Sequence, residues 1–252
     1  MSERLIALRG SVAHLYDVAS DIQPIDYTAS AYPSEWTVAD TMSHLGSGAV
    51  IGIRRIEDFV AGRDAEPDFN QSVWDLWNAK APADQVGDAL VSDRQYLEAL
   101  EAMTEEQRSA YRMSLGPMSF DFEGAVGLRL GEHVLHAWDV EVSFEADATL
   151  PTDASGLILD GINFLVGRTA RLAGDERQIS IRTIEPERSF TLRLTGDSAE
   201  LVEEPHDGRV DLEIPAEALV RLFYGRLDEA HTGDSLRNND VITYLRGVFR
   251  GF

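Results

Sequence analysis

Apolar residues recur at helical spacing over roughly the first 170 positions of the chain. In residues 3–19 they fall at Leu5, Leu8, Val12, Leu15, Tyr16 and Val18, the stripe of an amphipathic helix. "DYTASAYPSE" has no such period and reads as a loop. "WTVAD" follows, with Thr37 as N-cap and Asp40 three residues on, a variant of the capping box. The helix opened there is predicted to run through His44 to about Val60 and to stop near Gly62. "SVWDLWNAK" predicts a shorter helix or an ordered loop. Val86, Leu90, Leu97 and Leu100 predict a helix over 84–103, "FEGAVGLRLGEHVLHAWDVEVSFE" a long one, and residues 154–173 a further one.

After Gly174 the period shortens to two. "QISIRTI", "SFTLRLTG", "AELVEE" and "RVDLEIP" alternate apolar with polar residues, as strands do. "PAEALVRLFYGRL" returns to helical spacing with Pro215 at its start, and "NNDVITYLRGVFRGF" predicts a last helix. The fold class expected is α+β: a helical domain over 1–174, then a smaller α+β domain over 175–252.

Composition narrows the function. The 252 residues include no cysteine. Disulfides, a cysteine nucleophile and a metal held by the protein's own thiolates are thereby excluded, so any thiol chemistry needs an external thiol. Acidic residues number 44 against 22 basic ones, for a net charge of -22. Such a surface repels phosphate backbones and argues against nucleic-acid partners. No apolar run approaches the ~18–20 residues of a membrane span. The first residues lack a signal peptide's pattern, so a cytoplasmic protein is expected, without a membrane partner.

The candidate chemistry lies in "GEHVLHAWDVE". Glu132, His136 and Asp139 follow the i, i+4, i+7 spacing of one helix stripe. His133 is rotated by ~100° and is expected to point elsewhere. Glu132 and His136, one turn apart, can reach one ion, which then needs a ligand from a second helix. His44 is the best placed, beside the small residues Ser43, Gly46, Ser47 and Gly48, which let helices approach and leave room for an ion. Two histidines and one carboxylate would leave a coordination position open, the catalytic pattern. The same residues also admit plainer roles: a mid-helix histidine hydrogen-bonded in the core, Asp139 on a solvated face, and Trp138 in core packing.

"EWTVADTMSHL" and, about ninety residues later, "GEHVLHAWDV" together resemble the mycothiol-dependent maleylpyruvate isomerase family, which belongs to the DinB-like metal-binding four-helix bundles. The resemblance implies a DinB-like N-terminal bundle whose metal ligands are His44, Glu132 and His136, with zinc the usual ion. It implies mycothiol as the thiol. Asp139 is expected to orient His136 through its second ring nitrogen, to contact the cofactor or to cap local structure. "IPAEALVRLFYGRLDEAHTGD" is similar to the family's C-terminal, sterol-carrier-like module, in which a Gly-Arg pair supplies a catalytic arginine, here Gly225-Arg226. The function implied is a metal- and thiol-dependent isomerase or S-transferase acting on small electrophiles. The alternative is a protein that only binds a metal and an apolar ligand.

Overall fold

A computed structural model describes residues 2–32, 35–64, 66–174, 176–206, 208 and 210–251. Two compact units divide it, Met1–Ala148 and Thr149–Phe252. Among the described residues, no helix is long and apolar enough to cross a membrane.

The first unit is a four-helix bundle built from α1 (Glu3–Asp21), α2 (Val38–Ala61), α4 (Pro82–Ala102) and α6 (Phe122–Glu141). α2 packs on α4 and α6, and α1 closes the ring by packing on the same two helices. A 3-10 turn (Pro24–Thr28), α3 (Phe69–Asn78), α5 (Glu105–Ala110) and a hairpin of β1 (Met113–Leu115) and β2 (Met118–Phe120) complete it. The loop expected over residues 26–35 holds the end of the 3-10 turn, while Pro33 and Ser34 lie outside the described residues. The expected α2 cap is present in full. Thr37 Oγ1 accepts from the Asp40 amide at 3.1 Å, and the Thr37 amide donates to Asp40 Oδ2 at 2.9 Å. Gly62, with φ of 62°, ends the helix in the left-handed conformation that suits glycine.

The small residues of α2 allow the close approach expected of them, but the room they leave is taken by neighbouring side chains and backbone. A Cβ on Gly46 would lie 2.3 Å from the Trp77 ring and 2.8 Å from the Ala89 backbone. A Cβ on Gly48 would lie 3.1 Å from Arg129 Nη1. Their missing side chains admit a tryptophan, a neighbouring helix and a guanidinium, and the bundle core around Met42, Leu45, Trp77 and Ala89 closes over them.

The second unit carries a four-stranded sheet in the order β5-β4-β3-β6. β3 (Glu176–Ile184), β4 (Arg188–Thr195) and β5 (Ser198–Glu203) form an antiparallel meander, and β6 (Leu212–Pro215) returns parallel to β3. The alternation read from the sequence becomes one buried face. Ile179 sits opposite Leu192, which sits opposite Leu201, and Ile181 lies between Phe190 and Leu212. The strand expected from Arg209 onward begins only at Leu212, and Arg209 lies outside the described residues. α9 (Ala216–Phe223), α10 (Asp234–Arg237) and α11 (Asp240–Val248) follow. Pro215 is the N-cap of α9 and not its first residue.

Two expectations are corrected. The helix over 154–173 is two helices, α7 (Thr152–Leu159) and α8 (Asn163–Thr169), broken at a turn through Gly161. Both belong to the second unit, because α7 packs on α9 and α8 packs on β5. The change of unit therefore falls at 148/149 and not at Gly174, where only the local period changes.

Gly46→Ala is expected to cost about 1–3 kcal/mol through overpacking against Trp77 and Ala89. Urea unfolding would show a lower midpoint at unchanged slope. Wild-type stability would mean that Trp77 yields freely.

Candidate functional site

Among the described residues, His44, Glu132 and His136 converge, with one donor atom of each lying within 4.8 Å of the others. His44 stands on α2, two turns beyond the Thr37 cap. Glu132 and His136 stand one turn apart on α6, the spacing that puts both on one stripe. His44 Nε2 lies 3.4 Å, and His136 Nε2 3.7 Å, from the same carboxylate oxygen, Glu132 Oε2. A tetrahedral ion with ligand bonds of ~2.0–2.1 Å spaces its donors by roughly 3.4 Å. Two imidazole nitrogens and a carboxylate oxygen at these separations are a donor set that fits a divalent cation. The donors differ in exposure: the side chains of His44 and Glu132 are 41% and 48% exposed, that of His136 only 12%.

His136 is held from behind. Its Nδ1 is 2.8 Å from Asp139 Oδ2. In the tautomer that donates Nδ1–H to this carboxylate, Nε2 is left as the acceptor on the side of Glu132 and His44. Asp139 is 0% exposed. Its carboxylate is enclosed and turned to the imidazole. Trp36 lines the site, its ring stacked on His136 at 5.8 Å and tilted against His44 at 5.3 Å. Trp138 is core, 2% exposed, with Nε1–H donating to the Ala148 carbonyl at 2.8 Å.

Electrostatics keep Glu132 ionised. Loss of solvent pushes its carboxyl up, but in the metal-free protein the hydrogen bond with His44 and the positive charges of His136 and His44, when these rings are protonated, and of Arg129 bring it down from 4.5 to about 2. The other histidines lie elsewhere. His133 points away as expected, its Nδ1 2.7 Å from Ser11 Oγ. His14 pairs with Glu141, His206 with the Phe190 carbonyl and His231 with Asp228. Arg129 escaped the sequence reading. The available signal was a charged residue inside the apolar run "GAVGLRLGEHV", three positions before Glu132.

Arg226 belongs to the second unit. Gly225, at φ of 71°, ends α9 in the left-handed region, and the Arg226 amide donates to the Arg221 carbonyl at 2.7 Å, as in a Schellman motif. A Cβ on Gly225 would lie 2.2 Å from the Gly251 nitrogen, so the glycine before Arg226 is required twice over. The half-buried guanidinium donates from Nη1 to the Tyr224 carbonyl at 3.0 Å.

The acid behaviour of Glu132 follows in sign. Its folded value is depressed, so its contribution to stability is complete above about 4.5 and is lost as pH falls through about 2. Metal-free Glu132→Gln is expected to melt with a shallower acid limb than wild type over that window. Superimposable limbs would show a carboxyl uncoupled from the histidines.

Among curated proteins, none matches the chain. Two solved structures are similar over 89% of this chain and 88% of theirs, each with a TM-score of 0.64. One is the mycothiol-dependent maleylpyruvate isomerase, at 15% identity, and the other a mutant of it with a histidine replaced by alanine, at 14%. At such identities the likeness is one of fold. Residues 8–141 match the family described as the mycothiol maleylpyruvate isomerase N-terminal domain. That match runs from within α1 through the last turn of α6, with every converging donor inside it, and the chain belongs to this family.

Proposed function

We propose that this protein is a metal-dependent enzyme that uses a low-molecular-weight thiol, mycothiol, to act on small electrophilic substrates, as an isomerase of the maleylpyruvate type or a thiol S-transferase. The convergence of His44, Glu132 and His136, in a chain of this family, carries the reading. Zinc is the expected ion. Bound together, the ion and the thiol supply a nucleophilic thiolate, whose reversible addition to an activated double bond permits cis–trans isomerisation. The absence of cysteine from the chain is consistent with an external thiol.

The chain's own residues then have these roles. His44, Glu132 and His136 would hold the ion, which would bind the thiol sulfur and favour its thiolate form. Asp139 keeps the proton on the far nitrogen of His136, so that the near one can coordinate. Trp36 covers the rings of both histidines. Arg226 binds a substrate carboxylate through its planar fork and stabilises negative charge as it develops. The charge of -22 supports a small-molecule partner over a nucleic acid.

Purified protein is expected to carry about one zinc per chain. His44→Ala and His136→Ala should each lose tight binding, while His206→Ala, in the other unit, should not. Thiol added to the holo form should release a proton near neutral pH, read by calorimetry in two buffers of different ionisation enthalpy. Full occupancy without His44 would refute the ligand set. Equal heats in both buffers, with no turnover, would favour a protein that only binds.

Arg226→Lys should lower kcat/KM for an anionic substrate much more than for a neutral electrophile, because lysine lacks the two-pronged contact. Zinc content should not change. An unaltered kcat/KM with the anionic substrate would leave Arg226 as a helix-end residue bonded to Tyr224.

A further inference from the structure

Next to the three donors lies a second polar cluster that the proposed chemistry does not use. Asp93, on α4, is 3% exposed and His133, on α6, is 0% exposed. Arg129 Nη2 donates to the Asp93 carboxylate and, at 3.1 Å, to the Leu45 carbonyl on α2. His133 Nε2 lies 3.3 Å from Asp93 Oδ2, and its Nδ1 lies 2.7 Å from Ser11 Oγ on α1. One connected set therefore touches all four helices of the bundle.

Its members are interleaved with the donors. Leu45 directly follows His44, Arg129 precedes Glu132 by three residues, and His133 directly follows it. Well-packed apolar side chains would commonly serve stability as well as a buried ion pair does, so stability alone is a poor reason for this one. Register is a better reason, since a buried polar contact is satisfied in one alignment of the helices and broken in the next. Arginine suits the task because Nη2 carries two hydrogens and can meet acceptors on two helices at once, while the guanidinium keeps its charge. Gly48 leaves the space for it, because a Cβ there would come within 3.1 Å of Nη1.

We infer that Arg129 and Asp93, with His133, are positioning residues for the metal centre. The geometry that supports this is the bridge from α6 through Arg129 to the Leu45 carbonyl and to α4. The bridge sets α6 against α2 so that Glu132 and His136 meet His44. The inference rests on the metal reading above and names the device that brings its ligands together.

The test is zinc affinity, measured by competition with a chelator on folded protein. Arg129→Met keeps an unbranched side chain of similar length and removes the donors to both Asp93 and Leu45. Asp93→Asn keeps the shape and removes the charge that anchors Arg129. Each is expected to weaken zinc binding about tenfold or more, as loss of a supporting contact does. Each should also change the visible spectrum of the cobalt-substituted form. Leu8→Ala, a buried α1 residue outside the cluster, is the control for destabilisation alone. It should lower the melting temperature yet leave zinc affinity within about twofold. Circular dichroism shows which variants fold, and if one of the two does not, the other decides. Wild-type affinity and cobalt spectrum in a folded variant, or an equal loss in Leu8→Ala, would overturn the positioning role while leaving the metal reading intact. A wild-type protein that holds no zinc would overturn both.

Discussion

A carboxylate enclosed at the middle of a helix bundle must be answered by charge, and Asp93 is so answered. Burial pushes its carboxyl up, while Arg129 and His133 beside it bring the result below the ordinary value. Removing one partner of such a pair costs about 3–5 kcal/mol, because the other is left buried and uncompensated. The neighbouring structure follows this requirement. Arg129 must reach α4 from α6, so Gly48 on α2 carries no side chain. Its second bond ends on the Leu45 carbonyl, one residue beyond His44. Ser11 on α1 meets the far side of His133. The donors on α2 and α6 inherit the spacing set by this buried charge.

Features written in consecutive residues were legible from the chain. The capping box at Thr37 and the left-handed stop at Gly62 bound α2 where their local chemistry places them. The period-two stretches became a sheet whose buried face is the apolar half of the alternation. The change of period at Gly174 misled the domain reading, because local geometry does not say what a helix packs against. α7 and α8 have helical spacing like the bundle helices but cover elements of the second unit.

The site was legible to the extent that it lies on one helix. Glu132, His136 and Asp139 announce themselves by spacing, whereas His44 needed a second helix and the resemblance to a known family. The role of Asp139 depended on which way a side chain turns, which spacing alone does not fix. The small residues near His44 were correctly tied to close approach, but the space belongs to Trp77, Ala89 and Arg129. Asp93 left no trace, since an acidic residue in "ALVSDRQYL" reads as one more solvated position. Its burial is a product of tertiary packing.

The placement of Trp36 has an optical consequence. Its indole contacts the rings of both candidate donor histidines, at 5.3 Å and 5.8 Å. Indole emission responds to the charge of an imidazole in ring contact, and that charge changes when the ring is protonated or donates its lone pair. The chain therefore carries an intrinsic fluorophore at the wall of the site, and events at His44 and His136 are written into its emission without any added label.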